Sequence, residues 1–78
     1  MNVTEAVLTL RRLDQAAMFG WPEGYDEAGV RALALEAVQV IARAVEARPA
    51  AERPAYAKKA VAALRLPTVR RIEEAGRL

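Results

Sequence analysis

The sequence predicts an all-α fold: a small bundle of three main helices plus a short C-terminal helix, with helix 2 central. Three observations predict it. Apolar residues recur at helical spacing from Val3 onward, and nothing alternates with period two over a useful length. Glycines and prolines at Gly20, Pro22, Gly24, Pro49, Pro54 and Pro67 divide the chain into four segments. The segment between Tyr25 and Pro49 is apolar over well more than half of a helical circumference, an arc that needs cover on two sides.

Helix 1 is expected to be capped by Asn2 or Thr4 and to run to about Phe19. Its inward stripe is Val3, Ala6, Val7, Leu10, Leu13, Ala17 and Met18, while Leu8 and Phe19 lie off it. Asp14 projects into the stripe one turn after Arg11, so an ion pair at the edge of the core is expected. Gly20-Trp21-Pro22-Glu23-Gly24 then stops the helix, because proline cannot continue it and glycine accepts backbone angles other residues avoid.

Asp26 is the expected N-cap of helix 2, with Glu27 in the first turn where the helix dipole favours an anion. That helix should end at Ala47 or Arg48, just ahead of Pro49. Val30, Leu33, Leu35, Val38, Val40, Ile41 and Val45, with Ala34, Ala37, Ala42 and Ala44, form its broad apolar arc; Glu36, Gln39, Arg43 and Glu46, with Ala32 and Ala47, form the wet side. Pro54 suits the first turn of helix 3, whose inward residues are Tyr56, Ala57, Ala60, Val61 and Leu64. Leu66-Pro67 is expected to end it. Thr68 then caps helix 4, Val69 and Ile72 face inward, and Gly76 is the stop.

The 78 residues make one domain, 1–78, with an acidic helical hairpin (1–48) and a basic helical hairpin (53–78). Residues 1–52 hold five arginines against eight acids, a net of −3. Residues 53–78 hold seven bases against Glu73 and Glu74, a net of +5. A chain this short buries only about 60% of its unfolded surface. It has no Cys with which to staple itself, so self-association into a dimer is expected. No apolar run reaches the roughly 18 residues of a membrane span, which leaves a cytoplasmic location as the expectation.

The chain also contains no His and no Ser. The commonest general base, the serine and thiolate nucleophiles and the soft-metal ligands are therefore all missing, and the expectation is a non-enzyme without cofactor or metal. The acidic group Glu23, Asp26 and Glu27 lacks the ligand count of a calcium loop and reads as helix capping. Phe19, Trp21 and Tyr25 have two readings. Exposed, they are interface anchors; buried, they plug the open end of the bundle.

Thr68-Val69-Arg70-Arg71-Ile72-Glu73-Glu74-Ala75-Gly76-Arg77-Leu78 resembles the recognition-helix region of excisionase and MerR-type helix-turn-helix proteins. Those run Thr-Val, two basic or polar residues, an apolar position, then an acidic stretch closed by Gly-Arg-Leu. The resemblance implies DNA binding, with Arg70 and Arg71 meeting base edges or backbone and Thr68 reaching a phosphate. Lys58, Lys59 and Arg65 on the preceding helix and turn would add phosphate contacts. The same residues also read as a solvated face on which Arg70 pairs with Glu74. Two functions follow from the sequence. One is a small regulatory or accessory protein that binds nucleic acid through Lys58, Lys59, Arg65, Thr68, Arg70 and Arg71. The other is a helical protein–protein module (inhibitor, adaptor or assembly subunit) anchored by Leu8, Phe19, Trp21 and Tyr25.

Overall fold

The computed structural model describes residues 1–62 and 64–76. Four helices follow one another: α1 (Val3–Phe19), α2 (Glu27–Glu46), α3 (Arg53–Val61) and α4 (Leu66–Gly76). There is no strand among the described residues, and no described helix is long and apolar enough to cross a membrane. Ala63 of the turn before α4, and the Arg77-Leu78 end of the recognition-helix resemblance, lie outside the described residues.

Local chemistry sets the helix ends. Asn2 caps α1 by accepting the Glu5 N–H on its side-chain oxygen at 2.8 Å, which satisfies one of the donors a helix start leaves unpaired. Gly20 closes α1, donating its N–H to the Ala16 carbonyl at 2.8 Å with φ at 108°. Gly24 turns the loop at φ 77°, a second left-handed position suited to glycine. Asp26 sits at the N-cap of α2 as expected but makes no side-chain capping hydrogen bond. Glu27 instead pairs with Arg31 one turn on, at 2.6 Å across an exposed surface.

The end of α2 is closed by tertiary means. Arg53, at the start of α3, donates from Nε to the Arg48 carbonyl at 2.9 Å and from Nη2 to the Glu46 carbonyl at 3.0 Å. The Glu46 carbonyl is one that the end of α2 leaves without an intrahelical partner, and the Arg48 carbonyl belongs to the turn that follows. Arg48 in turn lies over the Tyr56 ring, 4.5 Å from its centroid, joining the same two helices by a cation–π contact.

Two expectations at the start of α4 are corrected. Leu66 and Pro67 do not end α3, which stops at Val61; they open α4. Proline in a first helical turn lacks an N–H that would have had no partner there, so it starts a helix as readily as it prevents one from continuing. Thr68 consequently lies inside the first turn of α4 rather than ahead of it. Nor is Asp14 paired with Arg11: among the described residues the one ion pair is Arg31–Glu27. The Asp14 carboxylate crosses to α4 instead, accepting the Thr68 hydroxyl at 2.7 Å and the Arg65 backbone N–H at 3.0 Å. A carboxylate at a helix N-terminus is favoured by the unpaired N–H groups and the dipole. Asp14 is thus a cap for α4 supplied by α1.

Helices α1, α3 and α4 each contact α2. The buried apolar core is Ala6 and Leu10 of α1, Ala37, Val38, Ile41 and Ala42 of α2, and Ile72 of α4. Among these only Ile41 is a large side chain buried to less than 2% exposure. The inward residues of α3 are half-buried: Tyr56, Ala57, Ala60, Val61, and Leu64 beyond its end. The broad arc of α2 is therefore covered unevenly. Its middle, from Ala37 to Ala42, is enclosed, whereas Leu33 and Leu35 near its start remain exposed. The molecule is elongated, 44 × 19 × 19 Å.

Candidate interaction groove

The N-terminal half of α2, the C-terminal half of α1 and α4 do not close on one another. Between them runs a groove of about 860 Å³. Leu10, Leu13 and Ala17 of α1 and Val30, Ala34 and Val38 of α2 supply its apolar lining. These are residues of the two predicted inward faces, and the groove follows from the helix lengths. α1 and α2 are long, but α4 has only 11 residues, and among its described residues the one buried apolar anchor is Ile72.

At one end of the groove stand Trp21 and Tyr25. Their rings stack with centroids 4.9 Å apart and planes 18° from parallel. Gly20 and Gly24 flank the pair, each at a positive φ that glycine accepts readily. Trp21 is half-buried and Tyr25 exposed, so the pair walls the groove without sealing it. Phe19 takes no part in the wall: it is 83% exposed at the end of α1. The aromatic loop is therefore divided between the two readings, with a stacked wall and a free apolar ring.

Charged groups of both signs rim the groove: Arg31, Arg65 and Arg71 alongside Asp14, Glu27 and Glu74. Two of the acids already have partners. Asp14 caps α4, and Glu27 pairs with Arg31. Arg65 and Arg71 are exposed and make no ion pair among the described residues.

A second groove, of about 760 Å³, lies between the N-terminal half of α1 and α3. Val3, Val7, Leu8, Tyr56 and Ala60 line it, with Lys59, Arg48 and Glu52 at its polar positions. Leu8, off the inward stripe of α1, borders this groove and is 45% exposed.

Of the residues expected at a nucleic-acid surface, Arg65 and Arg71 border the first groove, which Asp14, Glu27 and Glu74 also line, and Lys59 borders the second, which Glu52 also lines. Lys58 and Arg70 are exposed and border neither groove. Thr68 is 8% exposed, and its hydroxyl donates to Asp14. Arg53, counted in the basic half of the chain, is likewise occupied by the end of α2. Of the expected protein contacts, Leu8 falls on the second groove, Trp21 and Tyr25 on the first, and Phe19 lines neither.

Sequence reasoning missed the role of Asp14 and the groove itself. The signal for Asp14 was present: an acid on an apolar face needs a partner, and one 51 residues away serves better than Arg11 in the next turn. No protein-family model, curated protein or solved structure matches the chain.

Proposed function

We propose that the protein is a non-enzymatic helical interaction module, with α2 as its hub, that receives a protein partner in the groove between α1, α2 and α4. One observation carries the reading. A chain of 78 residues leaves open an apolar groove of about 860 Å³ walled by a stacked Trp–Tyr pair. Aromatic and aliphatic side chains gathered in a concavity with a charged rim are the usual anatomy of a protein-binding surface. An amphipathic helix is the occupant whose shape such a groove fits.

Nucleic-acid binding is the second reading. It is favoured by the exposure of Lys58, Lys59, Arg65, Arg70 and Arg71, none of them in an ion pair among the described residues. It ranks second because the groove linings include acids as well as bases, whereas phosphate binding profits from a surface of one sign.

Nuclear magnetic resonance on the ¹⁵N-labelled chain separates the two. On the module reading, the amides of Leu13, Ala34 and Leu35 shift when anilinonaphthalene sulfonate is added as an apolar probe, or when the protein's own concentration rises. Duplex DNA at low salt leaves the amides of Lys58, Lys59, Arg70 and Arg71 unmoved. Saturable DNA-induced shifts whose affinity falls log-linearly with salt refute the module in favour of nucleic acid.

A further inference from the structure

We infer that the occupant of the groove is a second copy of this chain, held in a closed two-fold dimer in which Phe19 of each copy enters the groove of the other. The inference rests on the module reading above and names the partner. Surface area is its first support. The chain exposes 5688 Å², whereas a monomeric protein of its 8.5 kDa mass exposes about 4,700 Å². The difference, roughly 1,000 Å², is close to the ~800 Å² that each partner contributes to a standard interface. The radius of gyration agrees: 12.7 Å is observed, against about 11.5 Å for a compact domain of this length.

The second support is the position of the exposed apolar groups. Phe19 is the only phenylalanine and is 83% exposed. It follows Ala17 and precedes Trp21, both of which line the groove. Leu35, also a groove residue, is 57% exposed, and Met18 beside Phe19 is 61% exposed. An anchor and a receptor pocket carried on the same chain can be exchanged reciprocally about a two-fold axis, which closes the assembly at two copies.

Charge is the third support. A groove rimmed by Arg65, Arg71 and Glu74 carries both signs, so it can meet its own image with the arginines of one copy near the glutamate of the other. The net charge of +2 per chain adds only mild repulsion. A polyanionic partner would gain nothing from the acids.

Light scattering after size exclusion, over a roughly hundred-fold dilution series, reads the assembly directly. The wild-type chain is expected at about 17 kDa, twice the 8.5 kDa of one chain, dissociating only on dilution. Phe19→Asp is expected to weaken association by roughly 30-fold or more, as removal of a buried aromatic anchor does. Its helical circular dichroism should be retained at concentrations where the wild type is dimeric.

A wild type of single-chain mass throughout overturns the inference, as does a Phe19→Asp variant that dimerises like the wild type. A second measurement is independent of that variant's folding. The chain has no cysteine, so Glu23→Cys carries a single nitroxide. Mixed with an unmodified ¹⁵N-labelled copy, it is expected to broaden the amides of Leu13, Val30 and Leu35, and absence of broadening overturns the inference. A monomer whose groove amides still respond to the apolar probe sinks the second copy but keeps the module. DNA-induced shifts sink the module itself.

Discussion

Replacing Asp14 by alanine is expected to loosen α4 from the bundle, and the size of the effect can be worked from two bonds. The carboxylate accepts the Thr68 hydroxyl at 2.7 Å and the Arg65 N–H at 3.0 Å. A hydrogen bond to a charged group contributes about 1.5–3 kcal/mol, and a buried donor left unpaired costs about 1–3 kcal/mol. Arg65 is exposed and water can replace its partner, but Thr68 is only 8% exposed, so most of the loss falls on its hydroxyl. A further ~0.3–1 kcal/mol comes from removing an anion at a helix N-terminus.

Together these place Asp14→Ala at about 2 kcal/mol of destabilisation, which for a domain this size lowers Tm by roughly 10 °C. Thermal unfolding followed by circular dichroism, at one fixed protein concentration, measures it. Asp14→Asn keeps one oxygen and should lose about half as much. Thr68→Val combined with Asp14→Ala should be less harmful than the two separate losses summed, with a coupling near 1 kcal/mol. Arg11→Ala should stay within about 0.5 kcal/mol of wild type, since Arg11 has no ion-pair partner among the described residues. An Asp14→Ala variant as stable as wild type, or one matched by Arg11→Ala, would refute the tertiary cap.

Ile41→Ala removes the one large side chain that is fully buried among the described residues; a loss of about 3 kcal/mol is expected, measured by urea titration. Arg53→Ala frees the Arg48 and Glu46 carbonyls at an exposed helix end, and should cost about 1 kcal/mol in the same titration. Arg53→Lys should not restore it, because an ammonium lacks the fork that reaches both oxygens. Gly20→Ala meets nothing within 4 Å, so its expected loss of about 1 kcal/mol is purely the strain of φ 108°, seen as a lowered Tm.

Much of the architecture was legible because helix ends follow short-range rules. Asn2 as a cap, Gly20 as a stop and Pro54 in a first turn are local choices between a few backbone groups and one side chain. Pro67 shows where such rules lose their grip. A proline after a leucine is compatible with the end of one helix or the start of the next, and the choice fell to Asp14, whose carboxylate stands ready at the start of α4. Arg53 is a similar case: nothing in its neighbours indicates that its guanidinium closes a different helix.

For the site the balance shifts further. Trp21 and Tyr25 were visible as large groups in a loop, yet whether they stood free or walled a cavity depended on the distance between α1 and α2. Leu8, Phe19 and Leu35 look alike as exposed apolar residues in sequence. Only packing distributes them between two grooves and a free anchor. The basic half of the chain is one block in sequence, yet its members meet different surroundings: Arg53 closes the end of α2, and Arg65 and Arg71 line the first groove.

The amino-acid sequence alone determined a helical chain without His, Cys or Ser, broken at its glycines and prolines. Those properties follow from composition and from interactions within one turn of backbone. Tertiary structure decided which apolar residues remain uncovered, which charges are spent on capping, and that a groove stays open beside α4. Such outcomes depend on the lengths and approach of helices far apart in the chain, where one carboxylate on α1 can decide how α4 begins.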